Sequence, residues 1–177
     1  MSGMFIGTAG WAIARDCADR FPEEGSGLER YAAVFGAVEI NSSFHRPHRL
    51  ATWQRWHDSV PVGFRFSVKL PKRITHGLKL VGFEDELDTF IAQTDTLAAK
   101  LAVLLVQLPP SLAFDAAVAE RFLARLRERS AAAIACEPRH TSFRNPTYIQ
   151  QFIKRGVPRR LSEEDRRRLA AHFGVGE

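Results

Sequence analysis

Acidic, basic and imidazole side chains follow a short apolar stretch late in the sequence. Residues 131–136 are apolar, and Glu137, Arg139 and His140 come directly after them. Such a run is typical of a buried β-strand, so the three side chains would lie together at the end of that strand. Carboxylate and imidazole groups transfer protons, and the planar donor fork of arginine binds phosphate or carboxylate groups. The pattern predicts a site for acid–base chemistry on a polar ligand.

Four earlier stretches end on side chains that could belong to the same site. In chain order they supply Trp11, then Glu39 and Asn41, then Lys69 and His76, and last Gln107. Glu39 could pair with Glu137 as general acid and base, or both could ligate a metal ion. Lys69 could join Arg139 in holding an anionic group, with Asn41 and Gln107 positioning the ligand.

Each of these residues also has a plainer structural interpretation, which the sequence leaves open. Glu39 and Glu137 could cap helices or form ion pairs with nearby cations. His140 could be an ordinary loop residue rather than a proton shuttle or ligand. Trp11 could pack in the core or at the rim of the sheet instead of stacking on a ring of the ligand.

The elements that would position these side chains alternate between strands and helices. Strand patterns cover residues 4–8, 37–40, 64–70, 102–108 and 131–136, and helical periodicity covers residues 28–35, 50–57, 84–100 and 115–128. This alternation predicts an α/β fold with a parallel sheet, either a barrel or an open doubly wound sheet. In both folds, sites form where the carboxyl ends of the strands meet.

Composition and motif searches exclude several classes of protein. The 177 residues, 45% hydrophobic and 25% charged, fit one globular domain or one domain with an appendage. Two cysteines are too few for a disulfide framework, and the chain has no membrane-spanning run and no signal peptide, so we expect a cytoplasmic protein. His45, His48 and His76 lack zinc-motif spacing, and no glycine-rich phosphate loop follows a strand, so we expect no metal and no cofactor.

Five motifs carry a resemblance to a known family. GTAGW, AVEINSSFHRP, FRFSVKLPKRITH, VQLPPS and EPRHTSF occur in the order and approximate spacing of the YecE-like family, a domain of unknown function, over residues 4–143. The resemblance implies a (β/α)8 barrel, and it implies a site at the carboxyl-terminal rim of that barrel. The residues near that rim would be Glu39, Asn41, Lys69, Gln107, Glu137, Arg139 and His140. The family has no firmly assigned reaction.

The sequence departs from this family after Phe143. A closed barrel of this type has eight strands and typically about 250 residues, whereas only five strand patterns precede residue 144. We therefore predict a truncated, TIM-like barrel domain of about five βα units in residues 1–143. Its open sheet edges would favour self-association.

Residues 144–177 have a different character and suggest a second function. This segment holds eight basic and four acidic residues, so it carries +4 of the net charge of +5. The motif NPTYIQQFIKRGVPRRL resembles part of the helix-turn-helix domain of Xre-type, LexA-like repressors, which implies nucleic acid as a partner. The residues that would contact it are Gln150, Gln151, Lys154, Arg155, Arg159 and Arg160.

The same segment admits two plainer interpretations. Residues 146–155 could be the barrel helix that is due after the fifth strand, and the remainder could be a solvated basic helix that begins near Ser162 and ends near Phe173. The main functional prediction is therefore a strand-end site for a small polar or phosphorylated ligand, with DNA binding by the tail as the alternative.

Overall fold

The computed structural model describes residues 4–144, which form a five-stranded parallel sheet with helices. The strands are β1 (Gly7–Ala9), β2 (Ala37–Ile40), β3 (Arg65–Lys69), β4 (Leu101–Leu108) and β5 (Ala133–Pro138). Each strand pairs in parallel with its neighbour in the sequence, in the order β1-β2-β3-β4-β5. This confirms the predicted α/β class. Within residues 4–144 the order has no reversal of the kind that creates the switch point of a doubly wound sheet.

One α-helix connects each strand to the next. The helices are α1 (Gly27–Ala32), α2 (Leu50–Asp58), α3 (Glu84–Thr94) and α4 (Ala116–Arg129). The Ser26 side chain caps α1 in a reciprocal capping box with Glu29, and the Asp115 side chain caps α4. No helix in residues 4–144 has both the length and the apolar character needed to cross a bilayer.

Shorter helical turns lie between these elements. The 3₁₀ turns are Arg15–Arg20, Ser42–Phe44, Asp95–Lys100 and Thr141–Arg144, and a π-helical turn covers Arg73–Gly77. The turns at 42–44, 73–77 and 141–144 follow β2, β3 and β5, at the edge where the predicted site residues gather.

The two faces of the sheet differ in how well they are covered. On one face, buried strand residues such as Ile40, Phe66 and Leu104 join a single core cluster with helix residues such as Leu87 and Phe122. The opposite face carries small and polar side chains that are only half-buried. Among them are Ala37, Glu39, Ser67, Lys69, Ala135 and Glu137. The alternation therefore places the predicted carboxylates and Lys69 on the open face.

Lys100 joins the end of α2 to the start of β4. Its side chain is buried, and its Nζ donates to the carbonyl oxygens of His57 at 2.6 Å and of Val60 at 2.7 Å. A cation at this position satisfies carbonyl groups that the helix end leaves unpaired, and it interacts favourably with the helix dipole.

Several predicted element bounds differ from the structure. The fifth strand runs over Ala133–Pro138 rather than residues 131–136, so Glu137 lies within it, and the first helix ends at Ala32 rather than at residue 35. The first strand begins at Gly7 rather than at residue 4. The helix predicted over residues 84–100 ends at Thr94 and is followed by the 3₁₀ turn Asp95–Lys100, in which Ala98 has a non-helical φ of 47° and ψ of −132°. The predicted loop between residues 12 and 27 contains a 3₁₀ turn.

Apart from Arg144, the predicted tail of residues 144–177 lies outside the described residues. This holds for the helix expected after Ser162 and for the proposed nucleic-acid contacts Gln150, Gln151, Lys154, Arg155, Arg159 and Arg160.

Candidate functional site

Glu39 lies at the centre of the candidate site, near the carboxyl end of β2. Burial raises the pKa of its half-buried carboxyl group, and the charge of Glu137 adds to this effect. The positive charge of Lys69 and a hydrogen bond from Asn41 act in the opposite direction, without reversing the shift. Glu39 is thus a carboxyl group that holds its proton more tightly than an exposed glutamate does.

Glu137 is the second carboxylate of the site and lies on β5. It is in register with Gln107 on β4, whose side-chain amide donates to Oε2 of Glu137 at 3.1 Å. Arg139 places Nη2 3.5 Å from the other carboxylate oxygen, Oε1. Gln107 is buried and Arg139 is exposed, so one donor fixes Glu137 from the interior and the other from the solvent side.

Lys69 ends β3 on the same face as the two carboxylates. Its Nζ lies 4.6 Å from the centroid of the Phe44 ring, a cation–π contact. Ser43, the neighbour of Phe44, donates its hydroxyl to the Lys69 carbonyl at 2.7 Å. The turn after β2 therefore holds both the backbone and the side chain of Lys69.

His140 is held within the turn that follows β5. Its Nδ1 lies 3.1 Å from the backbone N–H of Ser142, which donates to it, and 2.8 Å from the Ser142 hydroxyl oxygen. The same hydroxyl oxygen accepts from the backbone N–H of Phe114 at 2.8 Å. These contacts fix the His140 ring within the turn, and its role as a proton shuttle or ligand stays a prediction.

Trp11 packs into an aromatic cluster rather than beside the charged residues. Its ring centroid lies 5.3 Å from that of Trp56 in an edge-on arrangement. Trp56 in turn contacts Trp53 at 5.1 Å and His48 at 4.9 Å. These contacts match the packing interpretation of Trp11.

Phe44 lies beside the site and was absent from the predicted set, whereas His76 was among the side chains expected at the strand ends but had no predicted role. The His76 ring meets Phe44 edge-on at 5.0 Å, and Nδ1 lies 2.9 Å from the Thr75 hydroxyl. Burial lowers the pKa of His76, and the charges of Lys72, Lys69 and Arg139 lower it further. His76 therefore holds its proton less tightly than an exposed histidine does. The position of His76 after the third strand pattern predicts a place at the strand ends. The π-helical turn that places its ring against Phe44 has no signal in the sequence.

Histidine, cysteine, aspartate and glutamate side chains can ligate a metal ion. Within residues 4–144, no three of them are grouped so that they could hold an ion.

Comparison with known families identifies the chain. The model of the family described as "Protein of unknown function DUF72" matches residues 5–172. The chain belongs to the DUF72 family. The DUF72 match runs well past Phe143, where the sequence resemblance ends, and a helix-turn-helix assignment of the tail has no support from these comparisons.

Named relatives and solved structures agree with this assignment. The chain is 30% identical over 82 residues to the UPF0759 protein YecE of Escherichia coli, a stretch that covers 46% of this chain and 30% of YecE. A DUF72 family protein from Enterococcus faecalis superposes with a TM-score of 0.67 at 20% identity, covering 85% of this chain and 56% of that protein. A DUF72 family protein from Thermotoga maritima gives a TM-score of 0.66 at 26% identity, covering 86% and 62%. The chain thus spans less than two thirds of each relative.

Proposed function

We propose that this DUF72 protein binds a small hydroxylated ligand with an anionic group, such as a sugar phosphate, at the strand ends of its sheet. The observation that carries the proposal is the arrangement at the strand ends, where Glu39, Lys69 and Glu137 share one half-buried face and Glu137 is held by Gln107 and Arg139. Carboxyl groups accept hydrogen bonds from hydroxyl groups, and lysine and arginine bind phosphate. A rim that offers both carboxyl groups and cations suits a ligand that carries both hydroxyl groups and a phosphate group.

Glu39 and Glu137 have different environments, which suits them to different roles. Glu39 keeps its proton more readily because it is buried, so it serves as the proton donor. Glu137 accepts hydrogen bonds from Gln107 and Arg139, so it serves as the acceptor. Lys69 and Arg139 lie beside these carboxyls and hold the anionic group. The reaction class that fits is proton transfer on a hydroxylated ligand.

Isothermal titration calorimetry with ribose 5-phosphate tests the binding proposal. We expect saturable binding of ribose 5-phosphate and much weaker binding of ribose and of inorganic phosphate alone. Replacing Lys69 with Gln removes a phosphate-binding charge and should raise the Kd about tenfold. Glu39→Gln should also weaken binding, because the amide nitrogen cannot accept a hydrogen bond from a ligand hydroxyl group as a carboxyl oxygen does.

Two exposed residues provide matched controls for these variants. Lys79→Gln and Glu24→Gln make the same chemical changes away from the strand ends, and both should bind like the parent protein. Absence of heat with ribose 5-phosphate, or an equal loss of affinity in Lys79→Gln, would contradict the proposal.

DNA binding by residues 144–177 is a second candidate function, favoured by the +4 charge concentrated there. We expect an Arg159→Ala, Arg160→Ala double variant to bind duplex DNA more weakly whatever its sequence, and to show a shallower dependence on salt. Identical affinity in the parent and the double variant would dismiss this candidate.

A further inference from the structure

A groove between α2 and α3 is separate from the strand-end carboxylates, and we propose that it binds a small aromatic anion. The groove has a volume of about 460 Å³, within the range of pockets that accept small molecules. Its walls come from the segment after β2, the turn after β3, Trp53 of α2, and side chains of α3. The inference rests on the groove alone and stands whether or not the strand ends bind a sugar phosphate.

Aromatic and proline side chains supply the apolar part of the groove. Phe44, Trp53 and Phe90 come from three different elements, and Pro47 and Pro71 complete this surface. Flat, rigid side chains of this kind bind planar apolar groups with little loss of conformational entropy. The shape and composition therefore favour an aromatic ring system over a flexible chain.

Trp53 carries an unused hydrogen-bond donor at this position. The residue is 1% exposed, and its Nε1–H has no acceptor among the residues that the structure describes. A buried donor without a partner costs about 1–3 kcal/mol relative to a bonded one. A ligand atom that accepts this hydrogen bond would remove the cost, so the groove favours a ligand with acceptor oxygens.

The charges around the groove favour a negative ligand. Arg46, Lys72, Arg73, Asp85 and Glu86 all line it. Arg73 pairs with Glu86 at 3.3 Å, whereas Arg46 and Lys72 have no ion-pair partner within residues 4–144. With Asp85 as the remaining carboxylate, the groove keeps an excess of one positive charge. Acceptor oxygens that carry a negative charge satisfy both this excess and the Trp53 donor.

Phe44 forms the boundary between the groove and the strand-end site. Its ring lines the groove and also contacts Lys69 and His76, which belong to the strand-end site. Variants of groove residues that do not touch Phe44 can therefore separate the two sites experimentally.

Naphthalene-2-sulfonate is a suitable probe because it combines a planar ring system with anionic acceptor oxygens. In a two-dimensional NMR titration of the full chain, we expect a saturable shift of the Trp53 indole N–H signal. The signals of Trp11 and Trp56 should move less. The neutral isostere naphthalene-2-sulfonamide should have a Kd at least about three times that of the sulfonate, because it lacks the negative charge.

Three variants make the test specific to this groove. Thr89 is exposed on α3 and lines the groove, so Thr89→Trp should fill it and abolish the Trp53 shift. Arg46→Gln should raise the Kd about threefold by removing an unpaired charge. Arg55→Gln, an exposed change on α2 away from the groove, should leave the Kd unchanged.

Any of three results would overturn the inference: no saturable shift of the Trp53 signal, an unchanged shift in Thr89→Trp, or equal binding of the sulfonate and the sulfonamide. Glu39→Gln should not affect this titration. A failure of sugar phosphate binding at the strand ends is therefore distinguishable from a failure here.

Discussion

At the residue scale, burial raises the pKa of two side chains, Glu39 at the strand ends and Cys136 against the core. Glu39 is half-buried among charged neighbours at the strand ends, where a raised pKa suits proton transfer. Cys136 is a strand residue whose side chain packs against the core, where burial raises the pKa of its thiol to about 12. Burial thus makes the Glu39 carboxyl better suited to proton transfer, whereas it makes the Cys136 thiol less reactive.

Glu39→Gln should change how stability depends on pH. The folded carboxyl has a raised pKa, so its contribution to stability is fully present below the ordinary glutamate pKa and is lost as the pH rises through the raised value. Glutamine has no proton to lose. We therefore expect the melting temperature of Glu39→Gln, relative to the parent, to be more favourable at about pH 7 than at about pH 4.

Thermal unfolding of both proteins at the two pH values measures this effect. Glu24→Gln is the matched exposed control. If the difference in melting temperature between Glu39→Gln and the parent stays constant with pH, burial does not raise the pKa of this carboxyl group.

Cys136 should be inert towards alkylation in the folded protein. A thiol with a pKa of about 12 is ionised in about one molecule in ten thousand at about pH 8, and the thiolate is the reactive form. Iodoacetamide labelling followed by peptide mass mapping should modify Cys17 and spare Cys136 until the protein is unfolded. Equal labelling of both cysteines in the folded state would contradict this.

At the element scale, strand ends were easier to predict than the turns that follow them. The run of apolar residues in β4 and the alternation in β3 reveal a strand directly, and both were predicted to within two residues. The same patterns predict that Glu39, Lys69 and Glu137 lie at the edge of the sheet where the carboxyl ends of the strands meet. The turns depend on non-local packing, so the end of α3 at Thr94 and the return of His76 towards Phe44 had no sequence signal.

Lys100→Met should test how strongly one side chain holds α2 to the sheet. The variant leaves the His57 and Val60 carbonyls without their donor and should lower the free energy of unfolding by about 2 kcal/mol. Urea denaturation measures the change. Lys79→Met, at an exposed position, is the control. A loss below about 0.5 kcal/mol would mean that water replaces the lysine without cost.

At the scale of the whole molecule, the described sheet ends in two strands that each pair on one side. Within residues 4–144, β1 pairs only with β2, and β5 pairs only with β4. Met4, Phe5 and Ile6 precede β1 and are exposed to 74%, 52% and 39%. Apolar residues beside an open strand edge promote pairing between chains, so self-association stays a prediction.

Ile6→Lys should reduce that self-association. A lysine beside the edge strand hinders edge-to-edge pairing through charge repulsion and hydration. Size-exclusion chromatography with light scattering should show a smaller fraction of large species than in the parent protein. Val62→Lys changes a residue that is 88% exposed and lies between α2 and β3, so it serves as control. Equal effects of the two variants would indicate a general effect of charge.

The consecutive order of the strands has a consequence for how the chain is made. Each strand from β2 to β5 pairs with the strand that precedes it in the sequence, so its partner has already left the ribosome when it emerges. Synthesis adds about 5–20 residues per second, which gives each βα unit time to dock before the next one appears. The sheet can therefore grow in one direction during translation, without waiting for a distant segment of the chain.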